Sequence, residues 1–365
     1  MHIAIVNQHP ADMLGGSEIQ CDIIARGLAQ RGHQIDYVAV AGKTDRDYRT
    51  SYRVHAAPRD ADAIADLIVS LSPQIVYWRF NKHCFAKAAR RIHQVGIRIV
   101  FSVSHVRDVS RFYLQPGTWQ LGGFKALRRA LKESWRLYRE HHGFAYVDAL
   151  VSNNADNLNR VAVPVQLHIP NSMITSMEKF DWPRPYCLWV ANIKDRKQPE
   201  KFVELATRLQ ESGIDFLMVG QLQSKSYGRL LSSGPDNFHY LGEKRLEEVN
   251  GMLAASLFLV HTCHPEGFSN NFIQAWLQGR TVVSLAFDPG HLLETEGLGF
   301  YSAGDMETFI EQTQRLIENP ALARQMGEHA KTYAIAQFSP ETNVGRLENL
   351  LFNILHPDRK NVSAS

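Results

Sequence analysis

The sequence predicts two α/β domains in tandem, each built on a doubly wound, Rossmann-like parallel sheet. Three observations support this fold class. The chain has 365 residues, 44% of them hydrophobic, which is long for a single globular core. Short β-branched runs alternate with helical patterns, and strict alternation requires crossover connections between parallel strands. The alternation also stops once, near the middle of the chain, and then restarts.

The first series of elements begins at the first residues of the chain. Strand patterns cover residues 3–7, 35–40, 74–77, 97–104, 147–152 and 165–169. Helical patterns cover residues 16–30, 62–71 and 85–93. We assign residues 1–172 to an N-terminal domain, because each helix lies between two strands as in a parallel sheet.

A linker separates the two series. Residues 173–185 show no strand pattern and hold two prolines close together, Pro183 and Pro185. The second series has strand patterns at 186–191, 216–219, 257–261 and 281–285, and helical patterns at 199–210, 246–255, 270–278 and from 306 onward. We assign residues 186–340 to a C-terminal domain. A last helix, residues 341–357, is expected to pack back on the first domain.

Composition narrows the class of protein. The four cysteines, Cys21, Cys84, Cys187 and Cys263, lie far apart and form no CxxC pair, so they indicate neither a zinc site nor a disulfide framework. The chain starts directly with a strand pattern, and no apolar run is long enough to cross a bilayer. We therefore expect a cytoplasmic protein.

Positive charge is concentrated in the first domain. The net charge is +3, but residues 79–139 carry 14 Lys or Arg against two acidic residues. Within this region a helical pattern, residues 124–142, has a row of cations beside an apolar face. The apolar residues of that face are Phe124, Leu127, Leu131, Trp135 and Tyr138. The helix either rests peripherally on an anionic membrane surface or packs its apolar face into the domain core, and both interpretations stay open.

A glycine turn follows the first strand. Gly15 and Gly16 stand directly before a helical pattern, where small residues let the backbone approach a ligand and free amide groups attract anionic oxygens. The turn lacks the G-x-G-x-x-G spacing of dinucleotide oxidoreductases. A tight turn without a ligand explains the same two residues.

The most informative motif follows strand 257–261. The chain runs through Glu266 and Gly267 into a helix that carries Gln274. Open α/β sheets bind ligands at the carboxyl ends of their parallel strands, and the amino end of the following helix favours an anion such as a diphosphate. The sequence therefore predicts an anion-binding loop here.

The run from Glu266 to Trp276 resembles the E-G-F-x5-E-A motif of the retaining glycosyltransferases of family 4, which have the GT-B fold. The resemblance extends to the pair Gly15-Gly16, to Asn171 and to Lys197. Together these positions span nearly the whole chain. The resemblance implies two Rossmann-like domains facing across a cleft, with the nucleotide-sugar donor on the second domain and the acceptor on the first.

The resemblance also assigns roles in the second domain. Glu266 would bind hydroxyls of the transferred sugar, and the backbone amides of the five residues after it would hold sugar and diphosphate: Gly267, Phe268, Ser269, Asn270 and Asn271. Gln274 departs from the family pattern, since it replaces the glutamate that grips the ribose. An amide can still accept one hydroxyl hydrogen bond and donate another.

A basic turn after the first strand of this domain would neutralise the donor phosphates. Lys197 matches the family's lysine, whereas Asn192 stands where relatives carry an arginine. Arg196, or alternatively Lys194, is the candidate for the missing cation. A solvated basic turn is the alternative interpretation of both.

In the first domain, strand 97–104 ends at His105, which by the resemblance lies close to the transferred sugar. Asp108 would orient His105 or an acceptor hydroxyl, or it would cap a helix. Residues 237–243 resemble the segment whose backbone contacts the donor base in relatives. The Asp45-Arg46-Asp47 sequence imitates a metal-binding DxD motif, but its place in a polar stretch indicates a solvated loop.

The resemblance implies a retaining, metal-independent and cofactor-independent glycosyltransferase. It would move a sugar from a nucleotide diphosphate sugar to an acceptor, for which we expect a saccharide, lipid-linked or free, in cell-surface polysaccharide or glycolipid synthesis. No nucleic acid is expected as a partner. A nucleotide-sugar epimerase and a catalytically silent nucleotide-sugar-binding protein are the alternatives, and the altered positions Asn192 and Gln274 keep the latter open.

Overall fold

A computed structural model describes residues 1–13, 15–80, 84–112, 123–264 and 268–357, without the side chains of residues 123–126, 129 and 225. The chain divides into two compact units. The first comprises Met1–Asn171 and the chain from Pro340, and the second comprises Ser172–Ser339. Each unit is built around its own parallel sheet.

The first unit has a seven-stranded sheet. Its strands are β1 (His2–Asn7), β2 (Gln34–Val40), β3 (Arg53–Ala57), β4 (Ile75–Trp78), β5 (Arg98–Val103), β6 (Ala149–Ser152) and β7 (Val165–His168). The order across the sheet is β3-β2-β1-β4-β5-β6-β7, and every neighbouring pair is parallel. The order therefore reverses direction between β1 and β4.

In the part of the first unit that precedes Ser172, the described α-helices are α1 (Gly16–Gln30), α2 (Ala61–Leu71), α3 (Phe85–Gln94), α4 (Val106–Val109) and α5 (Gly123–His141). Both faces of the sheet are covered. Ala4 and Val6 of β1 pack into one apolar core, whereas Ile3 and Ile5 pack into the core on the other face. Burial of both faces explains why these strands are nearly continuous apolar runs rather than alternating ones.

The second unit has a six-stranded parallel sheet in the order β10-β9-β8-β11-β12-β13. Its strands are β8 (Tyr186–Val190), β9 (Asp215–Val219), β10 (Phe238–Tyr240), β11 (Leu259–His261), β12 (Val282–Ser284) and β13 (Gly299–Tyr301). Its helices are α6 (Pro199–Arg208), α7 (Gly228–Ser232), α8 (Leu246–Ala255), α9 (Asn270–Leu277), α10 (Leu292–Thr295), α11 (Met306–Glu318) and α12 (Pro320–Phe338).

The two sheets confirm the predicted fold class of two doubly wound parallel α/β units. The last helix, α13 (Pro340–Leu355), belongs to the first unit. Its residues Val344 and Leu347 share an apolar core with Leu28 of α1, and its Glu348 accepts a hydrogen bond from Arg31 Nη1 at 2.8 Å.

A buried carboxylate joins β1, β2 and β3. The side chain of Asp36 is fully buried. It forms hydrogen bonds with three cationic or ionisable groups: His2 Nε2 at 2.5 Å, His55 Nε2 at 2.7 Å and Arg53 Nη2 at 2.9 Å. Burial raises the pKa of the Asp36 carboxyl, but the hydrogen bonds from the two histidines and the charge of Arg53 outweigh burial, and the net pKa is lowered.

Candidate functional site

The candidate site of the second unit lies at the carboxyl edge of its sheet. β8 and β11 are neighbours, so the loops that follow them start side by side. The loop after β8 contains Asn192, which is exposed, and a 3-10 turn, Asp195–Lys197. The loop after β11 leads to α9. The fold thus brings together the two segments on which the sequence places donor-binding residues.

Hydrogen bonds fix these two loops to one another. Thr262 Oγ1 donates to the carbonyl oxygen of Lys197 at 2.8 Å and accepts from Trp189 Nε1 at 2.8 Å. The backbone amide of His264 donates to the carbonyl oxygen of Arg196 at 3.1 Å. The backbone of the basic turn is therefore held by the loop that leads to α9, with the side chain of Arg196 exposed and that of Lys197 half-buried.

The start of α9 combines backbone amides with anchored side chains. Ser269 precedes the helix and is buried, but its side chain does not cap the first turn. Asn271 Nδ2 donates to the carbonyl oxygen of Val190, which ties α9 to the end of β8. Phe268 packs against Phe338, with 5.5 Å between ring centroids. The expected sugar-binding residues Glu266 and Gly267 lie outside the described residues.

The remaining predicted residues of α9 differ in burial. Asn270, the first residue of the helix, is half-buried. Gln274 is only 4% exposed, and its Nε2 donates to Asn250 Oδ1 at 3.1 Å. Asn250 Nδ2 in turn donates to the carbonyl oxygens of Ile174 and Ser176 at 3.1 and 2.8 Å. One of the two hydrogens on the amide nitrogen of Gln274 is therefore used within the protein.

The backbone directly after β9 lies against the start of the loop that holds the basic turn. A Cβ atom on Gly220 would lie 1.7 Å from the carbonyl oxygen of Ala191, and the φ of Gly220 is +150°. Gly220 N also donates to the carbonyl oxygen of Gly242 at 2.9 Å. Sequence reasoning missed Gly220, Thr262 and Asn250. The available signal for Gly220 and Thr262 was a glycine or a polar residue directly after an apolar strand, whereas Asn250 lies within α8.

In the first unit, the predicted glycine turn begins α1. Gly15 is the N-cap of α1 in an extended conformation, and no side chain caps the helix there. The carboxylate of Glu18 folds over this turn, since a Cβ on Gly15 would lie 2.3 Å from Glu18 Oε2. Gly16 opens the helix. Asn171, which belongs to the family resemblance, accepts a hydrogen bond at Oδ1 from Arg79 Nη2 at 2.9 Å.

His105 and Asp108 form the start of α4. His105 is exposed, and its Nδ1 accepts the backbone amide of Arg107 at 3.1 Å, so a neutral ring carries its proton on Nε2. Asp108 Oδ2 accepts the backbone amides of Ser104 and His105 at 3.0 and 2.9 Å. The described contacts of Asp108 therefore fit the helix-capping interpretation.

The apolar face of α5 is exposed where the structure describes its side chains. Trp135 is 67% and Leu131 62% exposed, and Leu127 and Tyr138 are also exposed. Phe112 stacks on Tyr138 with 6.1 Å between ring centroids. The side chain of Phe124, the first residue of the predicted stripe, lies outside the described part. This exposure disfavours the interpretation of the stripe as domain core.

Two groups of acidic residues bear on metal binding. Asp45 and Asp47 of the DxD-like sequence are exposed, and Asp47 forms an ion pair with Arg49 at 3.0 Å. Asp288, His291 and Glu294 lie close enough to share an ion. Asp288 already accepts the backbone amides of Leu293 and Glu294, so its position is explained by local structure. Neither group involves a residue expected to bind the donor.

Comparison with known protein families gives a match within the second unit. Residues 184–319 match the family described as glycosyl transferases group 1. This match confirms the predicted resemblance at the level of group 1 glycosyl transferases, and the narrower assignment to family 4 stays a prediction. No curated protein sequence matches the chain significantly.

Solved structures establish the fold of the whole chain as GT-B. Sucrose-phosphate synthase from Thermosynechococcus elongatus is 15% identical, with a TM-score of 0.73 over 98% of this chain and 99% of its own. HepE from Anabaena, in complex with UDP and glucose, is 15% identical, with a TM-score of 0.68 over 97% and 100%. An alpha-glucosyltransferase in complex with UDP and a 13-mer DNA is 13% identical, with a TM-score of 0.63 over 96% and 99%.

In the part of the chain that the structure describes, no helix is long and apolar enough to cross a bilayer.

Proposed function

We propose that this protein is a retaining glycosyltransferase that transfers a sugar from a nucleotide diphosphate sugar to a saccharide acceptor, free or lipid-linked, in cell-surface polysaccharide or glycolipid synthesis. One observation carries the proposal. The basic turn with Lys197 and the loop leading to α9 are hydrogen-bonded together at the carboxyl edge of a parallel sheet, within the segment that matches group 1 glycosyl transferases. The UDP bound in HepE supports a uridine nucleotide as the donor.

Charge explains how such a site would act. Breaking the bond between the sugar and the diphosphate adds a negative charge to the departing diphosphate, which the amino end of α9 and the Lys197 ammonium would stabilise. Glu266 would hold the sugar hydroxyls, and the carbonyl oxygen of Lys197, fixed by Thr262, keeps the turn in place. The departing phosphate would take the proton of the acceptor hydroxyl, so no protein base, metal or cofactor is needed for this reaction.

The first test is donor binding. A panel of nucleotide sugars and UDP is screened by thermal shift, where a ligand at 100 times its Kd stabilises the protein by about 2.7 kcal/mol. We expect Lys197→Ala to remove most of the shift. Lys201→Ala is the matched control, because Lys201 in α6 pairs with Glu204 at 2.8 Å and has no expected ligand contact. Equal shifts in Lys197→Ala and the unmodified protein would refute the assignment.

The second test separates the enzyme from its alternatives. We expect slow release of free nucleotide from the bound donor without an acceptor, and loss of both release and transfer in Glu266→Ala with an unchanged melting temperature. A silent binding protein would bind the donor without any release. An epimerase would return an isomerised nucleotide sugar, which chromatography of the nucleotide products detects.

We further propose that α5 binds the surface of an anionic membrane from the cytoplasmic side. The exposed stripe supplies apolar contact area, and the exposed cations Arg128, Lys132 and Arg139 flank it. At about 1 kcal/mol for each cation near the surface, these three contribute about 3 kcal/mol, or a factor of about 150 in affinity.

Vesicle sedimentation tests the membrane proposal. Vesicles of phosphatidylglycerol should bind the protein, and vesicles of phosphatidylcholine should bind it weakly. Trp135→Ser should weaken binding, whereas Ile335→Ser, which removes an exposed apolar side chain from α12 in the second unit, should leave it unchanged. Equal sedimentation of both variants, or no preference for anionic lipid, counts against the proposal.

A further inference from the structure

Arg79 is a buried cation at the carboxyl edge of the first sheet. It follows β4 directly, and its backbone amide donates to the carbonyl oxygen of Val6 in β1 at 3.0 Å. The residue is only 7% exposed. The order of the sheet reverses between β1 and β4, and open α/β sheets bind ligands at such a reversal, beyond the carboxyl ends of the strands.

The groups that contact the guanidinium are neutral. Nη2 donates to Asn171 Oδ1 at 2.9 Å and Nη1 to the hydroxyl of Tyr77 at 3.4 Å. Within the described ranges, Nε has no hydrogen-bond partner and no carboxylate forms an ion pair with this side chain. Burial raises the pKa of Tyr77 and raises that of the nearby Cys21 thiol to about 12, so both stay uncharged at neutral pH.

A buried charge without a counter-ion is costly. Proteins pair or coordinate such groups, because desolvation of an isolated ion is unfavourable even after the surrounding protein relaxes. A structural arginine would be expected to have a carboxylate at contact distance. Arg79 instead lies buried at a ligand-binding edge and has only neutral hydrogen-bond partners among the described residues, which is the state of a residue that receives its anion from outside.

Glu18 is an acidic residue whose charge interacts with that of Arg79. Burial raises the pKa of its carboxyl, and the charge of Arg79 lowers it in part. Its Oε2 lies over Gly15, at the amino end of α1, where an incoming anion would also be favoured. Glu18 therefore repels an anion bound near Arg79, and removal of its charge should strengthen anion binding.

We propose that Arg79 binds a phosphate group of the acceptor. This inference rests on the proposed glycosyltransferase function and deepens it, since it makes the acceptor a phosphorylated molecule. Asn171 and Tyr77 hold the guanidinium in place. The remaining hydrogens on Nη1 and Nη2 donate to phosphate oxygens in the forked geometry that arginine offers and lysine does not.

The test titrates the full chain with glycerol 3-phosphate by calorimetry, with UDP saturating so that the donor site is filled. Glycerol is the uncharged control. We expect Arg79→Lys to bind glycerol 3-phosphate about tenfold more weakly, because the fork is lost. Arg98→Met is the matched control and should bind normally, since Arg98 is half-exposed and paired with Asp148 at 2.8 Å. Glu18→Gln should bind more tightly.

A parallel arm distinguishes a soluble phosphate from a lipid headgroup. Phosphatidic acid vesicles replace glycerol 3-phosphate, and Arg79-dependent binding in either arm supports the proposal while identifying the source. Binding in neither arm, or equal binding by Arg79→Lys and the unmodified protein, overturns it. UDP binding is measured separately in the same samples, so a failure of the proposed donor site is recognised independently. Arg79→Lys keeps the positive charge, and circular dichroism checks that the variant is folded.

Discussion

Replacement of Thr262 by valine tests whether the basic turn is held by the loop that leads to α9. The hydroxyl of Thr262 is the centre of a short chain of hydrogen bonds: it accepts from Trp189 Nε1 and donates to the carbonyl oxygen of Lys197, both at 2.8 Å. Valine has nearly the same shape, so Thr262→Val removes the hydrogen bonds with little change in packing.

The expected loss of stability follows from burial. Trp189 is 1% exposed and Thr262 is fully buried, so the indole N–H would be left without a partner at a cost of about 1–3 kcal/mol. Loss of the hydrogen bond to Lys197 adds about 0.5–1.5 kcal/mol. Thr262→Ser keeps the hydroxyl and loses one methyl group, which costs about 1 kcal/mol.

Calorimetry is the appropriate assay, because a chain of two compact units need not unfold in one step. The free energy of unfolding of the second unit should fall further in Thr262→Val than in Thr262→Ser, by about 0.5–3.5 kcal/mol. UDP affinity should fall in the valine variant alone, since Lys197 would no longer be held. Equal stability and equal UDP affinity of the two variants would refute this account of the loop.

Three further predictions follow from buried contacts. Gly220→Ala should destabilise the second unit by about 3 kcal/mol or more, because the new Cβ meets the carbonyl oxygen of Ala191 and the φ of Gly220 is +150°. Thermal unfolding measures this loss, and a loss below about 1 kcal/mol would contradict the prediction. Gln274→Glu should cost about 1–3 kcal/mol by the same measurement, because Asn250 Nδ2 is committed to two carbonyl oxygens and its Oδ1 would face another acceptor. The contacts that lower the pKa of Asp36 stabilise the folded state above the ordinary pKa of aspartate, about 3.9, and this stabilisation is lost as the pH falls through the lowered pKa. In Asp36→Asn, the free energy of unfolding should therefore fall less steeply as the solution is acidified.

The strand pattern of the sequence predicted most, but not all, of the two sheets. The interior strands are apolar on both faces and were recognised from their composition. The edge strands β3 and β13 were missed. β3 has one fully buried residue among its five, and β13 is only three residues long, so neither presents the apolar run of a central strand. An edge strand is stabilised by a neighbour on one side only, which leaves its sequence less constrained.

By itself, the sequence determined the local features of this protein: two series of alternating strands and helices, the glycine turn before α1, and the motif at the start of α9. The tertiary structure alone decided the partners of the polar groups, such as Thr262 with Lys197, Gln274 with Asn250 and Arg79 with Asn171, which are 65, 24 and 92 residues apart. The physical reason is that these contacts depend on which parallel strands become neighbours. Crossover connections set that order, and local periodicity carries no information about it.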